Sequence, residues 1–251
     1  MRQELEYRQR IYDTYVSKKL RPEGKGFSEE DYQRWASAAR VRLRGWLPID
    51  CNTPILDMGC GPGYFLYMLD RLGYTNLTGV DLSPEQVALA RQWCPRATII
   101  KGDVREVLAQ NPDHFGLISG FDFIEHFRKD EIVPLLKLIA KALLPGERVI
   151  LQTPNAESPW GLMYRYGDFT HEIAFDPHSL NHLLCVVGCV DFRARECGPY
   201  IHGVKSFFRF LVWQCIKTFL LIWNLAETGT IGSGIYTRVF CSSANKQEVK
   251  H

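Results

Sequence analysis

The sequence has no CxxC pair and no Cys/His grouping at zinc-ligand spacing, although cysteines stand at positions 51, 60, 94, 185, 189, 197, 215 and 241. That absence excludes the common structural zinc motifs, and cysteines scattered in this way read as free thiols in a reducing compartment. Charge of either sign is barely in excess: 30 Lys and Arg against 28 Asp and Glu leave a net +2. A balance so close to zero gives no basis for a nucleic-acid partner, and none is expected. The first twenty residues, MRQELEYRQRIYDTYVSKKL, lack the apolar run that a secretory signal requires, which predicts a cytoplasmic protein. Repeats and low-complexity stretches are also missing. What is present is 251 residues with 46% hydrophobic content, enough for one α/β domain with additions.

Residues 1–47 read as a helical cap of two helices. The first ends near Leu20, RPEGKGF forms a turn, and the second runs from about Ser28, where Ser28 and Asp31 have capping-box spacing. From Pro54 short apolar runs alternate with helical stretches: PILDM, a helix over Tyr64–Leu72, LTGVD, a helix over Pro84–Trp93, then ATIIK, GLISGF and RVILQ. Strands joined through helices imply right-handed crossovers and a parallel sheet covered on both faces, which explains runs that are apolar throughout rather than alternating. The fold class is therefore α/β, doubly wound. After RVILQ comes a long irregular segment, a helix over His178–Val187, and two more strand candidates, VDFRARE and IYTRVFC.

The turn Asp57-Met58-Gly59-Cys60-Gly61-Pro62-Gly63 follows the first strand directly and opens a helix. Its glycines permit a tight turn and a close approach of ligand to backbone. A dinucleotide fingerprint would need a glycine where Tyr64 stands, and the acid two residues before the first glycine favours S-adenosylmethionine over NAD. Asp81 closes the second strand, where a carboxylate can accept both hydroxyl protons of a ribose, and Asp103 follows the third.

These motifs, together with Asp122-Phe123-Ile124-Glu125-His126 after the fourth strand, resemble the class I S-adenosylmethionine-dependent methyltransferases over about residues 50–200. The resemblance implies a Rossmann-like sheet of seven strands, six parallel and one antiparallel, within a methyltransferase domain spanning 48–251. It also implies a cofactor site at Asp57, Gly59, Cys60, Gly61, Gly63, Asp81, Leu82, Asp103, Val104 and Phe121. The glycine turn would hold the amino-acid end of the cofactor, Asp81 the ribose and Asp103 the adenine amino group. Gly116 departs from the pattern, because relatives often carry aspartate at the start of strand four.

Methyl transfer is an in-line displacement, so the acceptor must be aligned and its proton removed. His171, in Asp168-Phe169-Thr170-His171-Glu172, is the first choice for a general base; His126 is the second, and Asp168 accompanies them as a catalytic candidate. Asn155, Tyr164, Arg165 and Tyr166 are the expected substrate-binding residues, with Trp160 and Phe169 as further ring walls. Asp122, Glu125, His126, Asp168 and His171 form a possible ligand set, but no metal is expected. The string TPN followed by Y-x-D-F-T-H-E-x-x-F resembles the family branch associated with surface-polysaccharide and sugar methylation. It implies O-methylation of a nucleotide- or lipid-linked saccharide; a quinone or similar lipophilic acceptor, and a non-catalytic partner of a glycan-processing complex, are the alternatives.

The plain form of that fold joins its last two strands closely, whereas here residues 198–234 intervene. On a helix, Phe208, Leu211, Val212, Cys215, Phe219, Ile222, Trp223 and Ala226 share one face, with Arg209, Gln214, Lys217, Thr218, Asn224 and Glu227 opposite. The polar groups argue against a spanning helix and for one lying in a membrane interface over residues 206–226, or packing on a core or second subunit.

Overall fold

The computed structural model describes residues 7–17 and 26–248. The expected end of the first helix near Leu20 and most of the RPEGKGF turn lie outside the described residues. Two helices, α1 (Tyr7–Tyr12) and α2 (Glu29–Arg42), precede the sheet. Ser28 caps α2 as its sequence anticipates: its hydroxyl accepts from the Asp31 amide at 3.3 Å, and the Asp31 carboxylate accepts from the Ser28 amide at 3.2 Å.

The alternating part comprises β1 (Ile55–Met58), α3 (Tyr64–Arg71), β2 (Leu77–Asp81), α4 (Pro84–Trp93), β3 (Thr98–Lys101), α5 (Val104–Gln110), β4 (Phe115–Phe121), α6 (Lys129–Ala142) and β5 (Leu143–Pro154). There follow α7 (Gly161–Gly167), α8 (Pro177–Val186), β6 (Cys189–Glu196), α9 (Val204–Thr228) and β7 (Val239–Lys246). The strands form one sheet in the order β3-β2-β1-β4-β5-β7-β6, with β7 antiparallel to both neighbours. This is the expected seven-stranded, doubly wound arrangement. The strand order reverses between β1 and β4, the place where open α/β sheets leave a crevice at their carboxyl edge.

Both sheet faces are covered, which is why the central strands carry no polar alternation. One core joins Leu56, Met58, Leu136, Ile139, Leu184 and Phe240; the other joins Tyr32, Ile55, Leu66, Met68, Leu117 and Ile150. Gly116 also gains a physical reason: a Cβ there would stand 2.3 Å from Thr53 Cγ2, so the local packing has no room for the aspartate common in relatives.

Three features differ from the sequence reading. The segment after β5 is not wholly irregular, since Gly161–Gly167 is the short helix α7. The last strand begins at Val239 rather than Ile235, because the carbonyls of Ile235 and Thr237 turn aside to accept from Asn155 Nδ2 at 2.7 and 3.0 Å. The third concerns α9, whose apolar face is as read but points outward, while the opposite side is mixed: Phe210, Trp213, Leu220 and Leu221 are half-buried there, and Arg209, Thr218 and Glu227 of the expected polar face are exposed. Gln214, Lys217 and Asn224 are half-buried towards the domain, and Lys217 pairs with Glu196 at 3.2 Å. Phe208, Leu211, Val212, Phe219, Ile222 and Trp223 point outward, 43–61% exposed.

Phe240 is fully buried at the centre of β7. Phe240→Ala is expected to lower unfolding free energy by about 3–5 kcal/mol. Urea denaturation checks this, and a loss below about 1 kcal/mol would show that β7 is peripheral to the core.

Candidate active site

A cavity of about 390 Å³ opens at the strand-order reversal, above the carboxyl ends of β1, β2 and β4. Its floor is the glycine turn. Gly59, Gly61 and Gly63 have φ of +59°, +55° and +91°, and a Cβ on Gly59 would stand 2.6 Å from the Phe123 ring. The turn is fastened to β2 because the Gly61 amide donates to Asp81 Oδ2 at 2.9 Å, while Asp81 Oδ1 accepts from the Ser83 amide at 2.8 Å. Asp57 lies under the turn and accepts from Ser119 Oγ at 2.7 Å, the two being register partners on β1 and β4.

The electrostatics select the ligand. Burial pushes the Asp57 carboxyl from 3.8 up to about 7, against the Ser119 hydrogen bond and with a small push from Asp81. Burial also raises Asp81 and Asp122, each opposed by the groups that donate to it. Their side chains accept from a hydroxyl, backbone amides and the Gln152 amide, and none of the three is in a salt bridge among the described residues. A cationic ligand would relieve this desolvated charge; a pyrophosphate would add to it, and one amide of the turn is already used by Asp81. The cavity therefore fits S-adenosylmethionine, with its ammonium and sulfonium, and not a dinucleotide.

All of the expected cofactor residues except Gly63 line this cavity. Gly63 stands at the N-cap of α3, where a Cβ would come within 2.9 Å of Cys94 Sγ, so its role is the packing of α3 on α4. Asp103 lines the wall, but its carboxylate meets the Arg105 guanidinium and the Arg105 amide. Burial raises the Asp103 pKa, yet the Arg105 hydrogen bonds outweigh it and hold the group below its ordinary value.

Arg8, Tyr12, Tyr15 and Trp35 also line the cavity, a contribution that sequence reading missed. They come from α1, the turn after it and α2. Arg8 donates to the His126 carbonyl at 2.8 Å and pairs with Glu131 at 3.0 Å; Tyr15 Oη donates to Asp168 Oδ2 at 2.8 Å. The N-terminal segment is thus a wall of the site, tied to the loop that carries the candidate base. The Tyr12/Tyr15 spacing was the available signal, but it did not say what those rings cover.

His126 lies on the cavity wall and His171 stands behind it, ring centroids 4.8 Å apart. The His126 Nδ1 lies 2.9 Å from Thr170 Oγ1 and 3.3 Å from the Thr170 carbonyl; His171 Nδ1 lies 2.8 Å from the Tyr164 carbonyl. Asp168 is buried and shapes the loop, accepting from the Thr170 amide and hydroxyl at 2.9 and 2.7 Å. Glu125, His126 and His171 each bring one ligand atom within 4.8 Å of the others, so three members of the possible ligand set, all suited to a divalent cation, converge here although no metal is expected.

The expected substrate residues do not gather at the cavity. Asn155 is fully buried and its amide is spent on structure, donating to Ile235 and Thr237 and accepting from the Glu157 amide at 3.1 Å. Arg165 donates to the carbonyls of His171 and Glu172, which holds the histidine loop. Tyr164 lines a separate groove, and Tyr166 is 73% exposed under the Arg165 guanidinium.

Two outcomes test the cavity. Gly59→Ala, strained at positive φ and crowded against Phe123, is expected to weaken S-adenosylmethionine binding by more than about tenfold in calorimetry, with the fold retained. Unchanged affinity would remove the turn from the site. The Asp57 stabilisation is present below its unfolded pKa of 3.8 and is lost as pH rises through about 7, a change of roughly 4 kcal/mol. The melting temperature of the ligand-free protein should therefore fall across that window, and Asp57→Asn should flatten the fall.

Comparison with known proteins agrees with this geometry. A family model described as a methyltransferase domain matches residues 17–191. The ubiquinone biosynthesis O-methyltransferase of Xanthomonas campestris pv. campestris is 30% identical over 122 residues, 47% of each chain. The trans-aconitate 2-methyltransferase of Enterobacter sp. is 28% identical over 172 residues, 68% of this chain and 60% of that one. The chain thus spans about half the length of the first of these curated relatives. Among solved structures, a SAM-dependent methyltransferase from Archaeoglobus fulgidus superposes with TM-score 0.62 at 20% identity, covering 87% of this chain and 97% of its own. Phosphoethanolamine N-methyltransferase 2 of Haemonchus contortus, solved with S-adenosyl-L-methionine, gives 0.60 at 16% identity over 94% of this chain and 60% of that one. With the matched model covering well over half of its length and the cavity suited to S-adenosylmethionine, the chain belongs to the methyltransferase-domain family.

Proposed function

We propose that this protein is an O-methyltransferase that works at the cytoplasmic face of a membrane on a hydroxyl of a lipid- or nucleotide-linked saccharide. The observation that carries the reading is α9: the face that holds Phe208, Val212, Phe219, Ile222 and Trp223 points away from the domain, while Lys217 on the other side pairs with Glu196 of the domain. An exposed apolar face of this length has the character of a surface-binding helix with its apolar side in the acyl boundary. By length and composition α9 would also suffice to cross a membrane. The Lys217–Glu196 pair and the half-buried Gln214 and Asn224, which tie it along the domain, favour the interfacial arrangement.

In the reaction, the acceptor oxygen bonds to the methyl carbon as the carbon–sulfur bond breaks, the hydroxyl proton goes to a base, and S-adenosylhomocysteine remains. The His126–His171 pair is the base in this reading. His126 is the member on the cavity wall, and the pair is held by Thr170, Tyr164 and Arg165. A second reading has a specific observation in its favour: curated relatives are named for ubiquinone biosynthesis, and a lipophilic hydroxylated ring would likewise be drawn from the bilayer beside α9.

Labelled S-adenosylmethionine offered with nucleotide-linked sugars and with lipophilic hydroxylated rings separates the two readings; label on the ring alone overturns the saccharide. His126→Ala and His171→Ala should each lower turnover by about a hundredfold or more while leaving cofactor affinity nearly unchanged. Turnover that stays at the wild-type level over the pH range removes the pair from the chemistry. Replacing Phe208, Phe219 and Trp223 together by Ser should lower partition into phosphatidylglycerol vesicles by about tenfold or more, with the fold retained. Equal sedimentation of variant and parent would refute the membrane face.

A further inference from the structure

A second concavity, of about 530 Å³, lies at the same edge of the sheet, between the start of β7, the end of β6 and the N-terminal half of α9. Three of its lining residues are arginines, Arg42, Arg209 and Arg238, and no Asp or Glu lines it among the described residues. Glu196, whose carboxylate meets Trp213 Nε1 at 3.4 Å, is already paired with Lys217. None of the three guanidinium groups is in a salt bridge among the described residues. The Arg42 Nε is buried without a hydrogen-bond partner. Arg238 lies over the rings of Trp160 and Tyr164, at 5.9 and 5.8 Å from their centroids. Three forked cations in a groove that no carboxylate lines among the described residues, with Arg42 also acting on Asp122 from a distance, suit, among their aromatic walls, a phosphate carried on a ring or chain.

This groove stands close to the cofactor cavity. Gln152 Nε2 donates to Asp122 on the cavity wall, and Cys197 of the groove lies 3.7 Å from Gln152 Oε1. The register runs from Phe121 to Gln152 to Cys241, so two strand spacings, about 10 Å, separate the edge of the cavity from β7. That span suits a sugar whose hydroxyl reaches the transferred methyl while its phosphate stays outside the acidic cavity.

We propose that this groove binds the phosphate or diphosphate of the acceptor through Arg42, Arg209 and Arg238. The proposal rests on the saccharide reading above for the identity of the acceptor, but not for the existence of the site. The phosphate has two possible sources, a membrane lipid carrier beside α9 or a soluble nucleotide.

The test is calorimetric titration of inorganic pyrophosphate into the full chain saturated with S-adenosylmethionine. One site is expected. Arg209→Ala and Arg238→Ala, both at exposed positions, should each weaken it by about tenfold or more while S-adenosylmethionine affinity stays at the parent value. No binding by the parent, or an isotherm that neither substitution changes in a folded protein, overturns the proposal. Competition then names the source. Displacement by phosphatidylglycerol but not phosphatidylcholine vesicles assigns the phosphate to a lipid, displacement by a uridine-diphosphate sugar assigns it to a nucleotide, and displacement by neither overturns the assignment to an acceptor. Because binding is read without turnover, this result and that of the saccharide assay fail independently.

Discussion

Desolvated negative charge at the carboxyl edge of the sheet is the constraint on which the rest of the site depends. Asp57, Asp81 and Asp122 are held there by neutral donors, and burial raises all three. Holding such groups in place requires a rigid frame. The register of β1 on β4 sets Ser119 beside Asp57, and the tight glycine turn brings the Gly61 amide to Asp81. The same turn brings Gly59 so near to Phe123 that no side chain fits. Burial disfavours the charged form of each carboxyl, and a ligand with positive charge at its reacting centre would favour it. Cofactor choice thus follows from charge placement as much as from shape.

The parts of this frame that were legible in the sequence are the local ones. Buried parallel strands leave continuous apolar runs, a strand-to-helix glycine turn leaves a short motif, and a capping box leaves two residues at fixed spacing. These signals located β1–β4, α2–α4 and, of the residues expected at the cofactor, all but Gly63 in the lining of one cavity. The wall formed by Arg8, Tyr12 and Tyr15 left no comparable trace, because Arg8 meets Glu131 and Tyr15 meets Asp168 across more than a hundred residues of chain. Asn155 misled for a related reason: a polar residue after a strand resembles a substrate contact until the carbonyls of Ile235 and Thr237 appear beside it. Gly63 shares a motif with residues that line the cavity, whereas its own neighbours are Cys94 and Ala90.

Periodicity recovered the apolar face of α9 but had no means of orienting it. Which face meets the domain is decided by a few polar contacts, notably Lys217 with Glu196 and Trp213 with the same carboxylate. Those contacts fix the helix with Phe208, Val212, Phe219, Ile222 and Trp223 outward, an arrangement that is unfavourable in water and favourable against lipid. The orientation has a consequence for the arginine groove. Arg209 projects from the first half of α9, within the groove, while Phe208 on the adjoining position is 60% exposed. One helix therefore sets an exposed apolar surface and a groove-lining cation side by side. In the proposed reading, an acceptor whose phosphate met Arg209 would present its distal hydroxyls along the sheet edge towards the cavity that His126 lines, so the approach of the acceptor would follow from the placement of this helix.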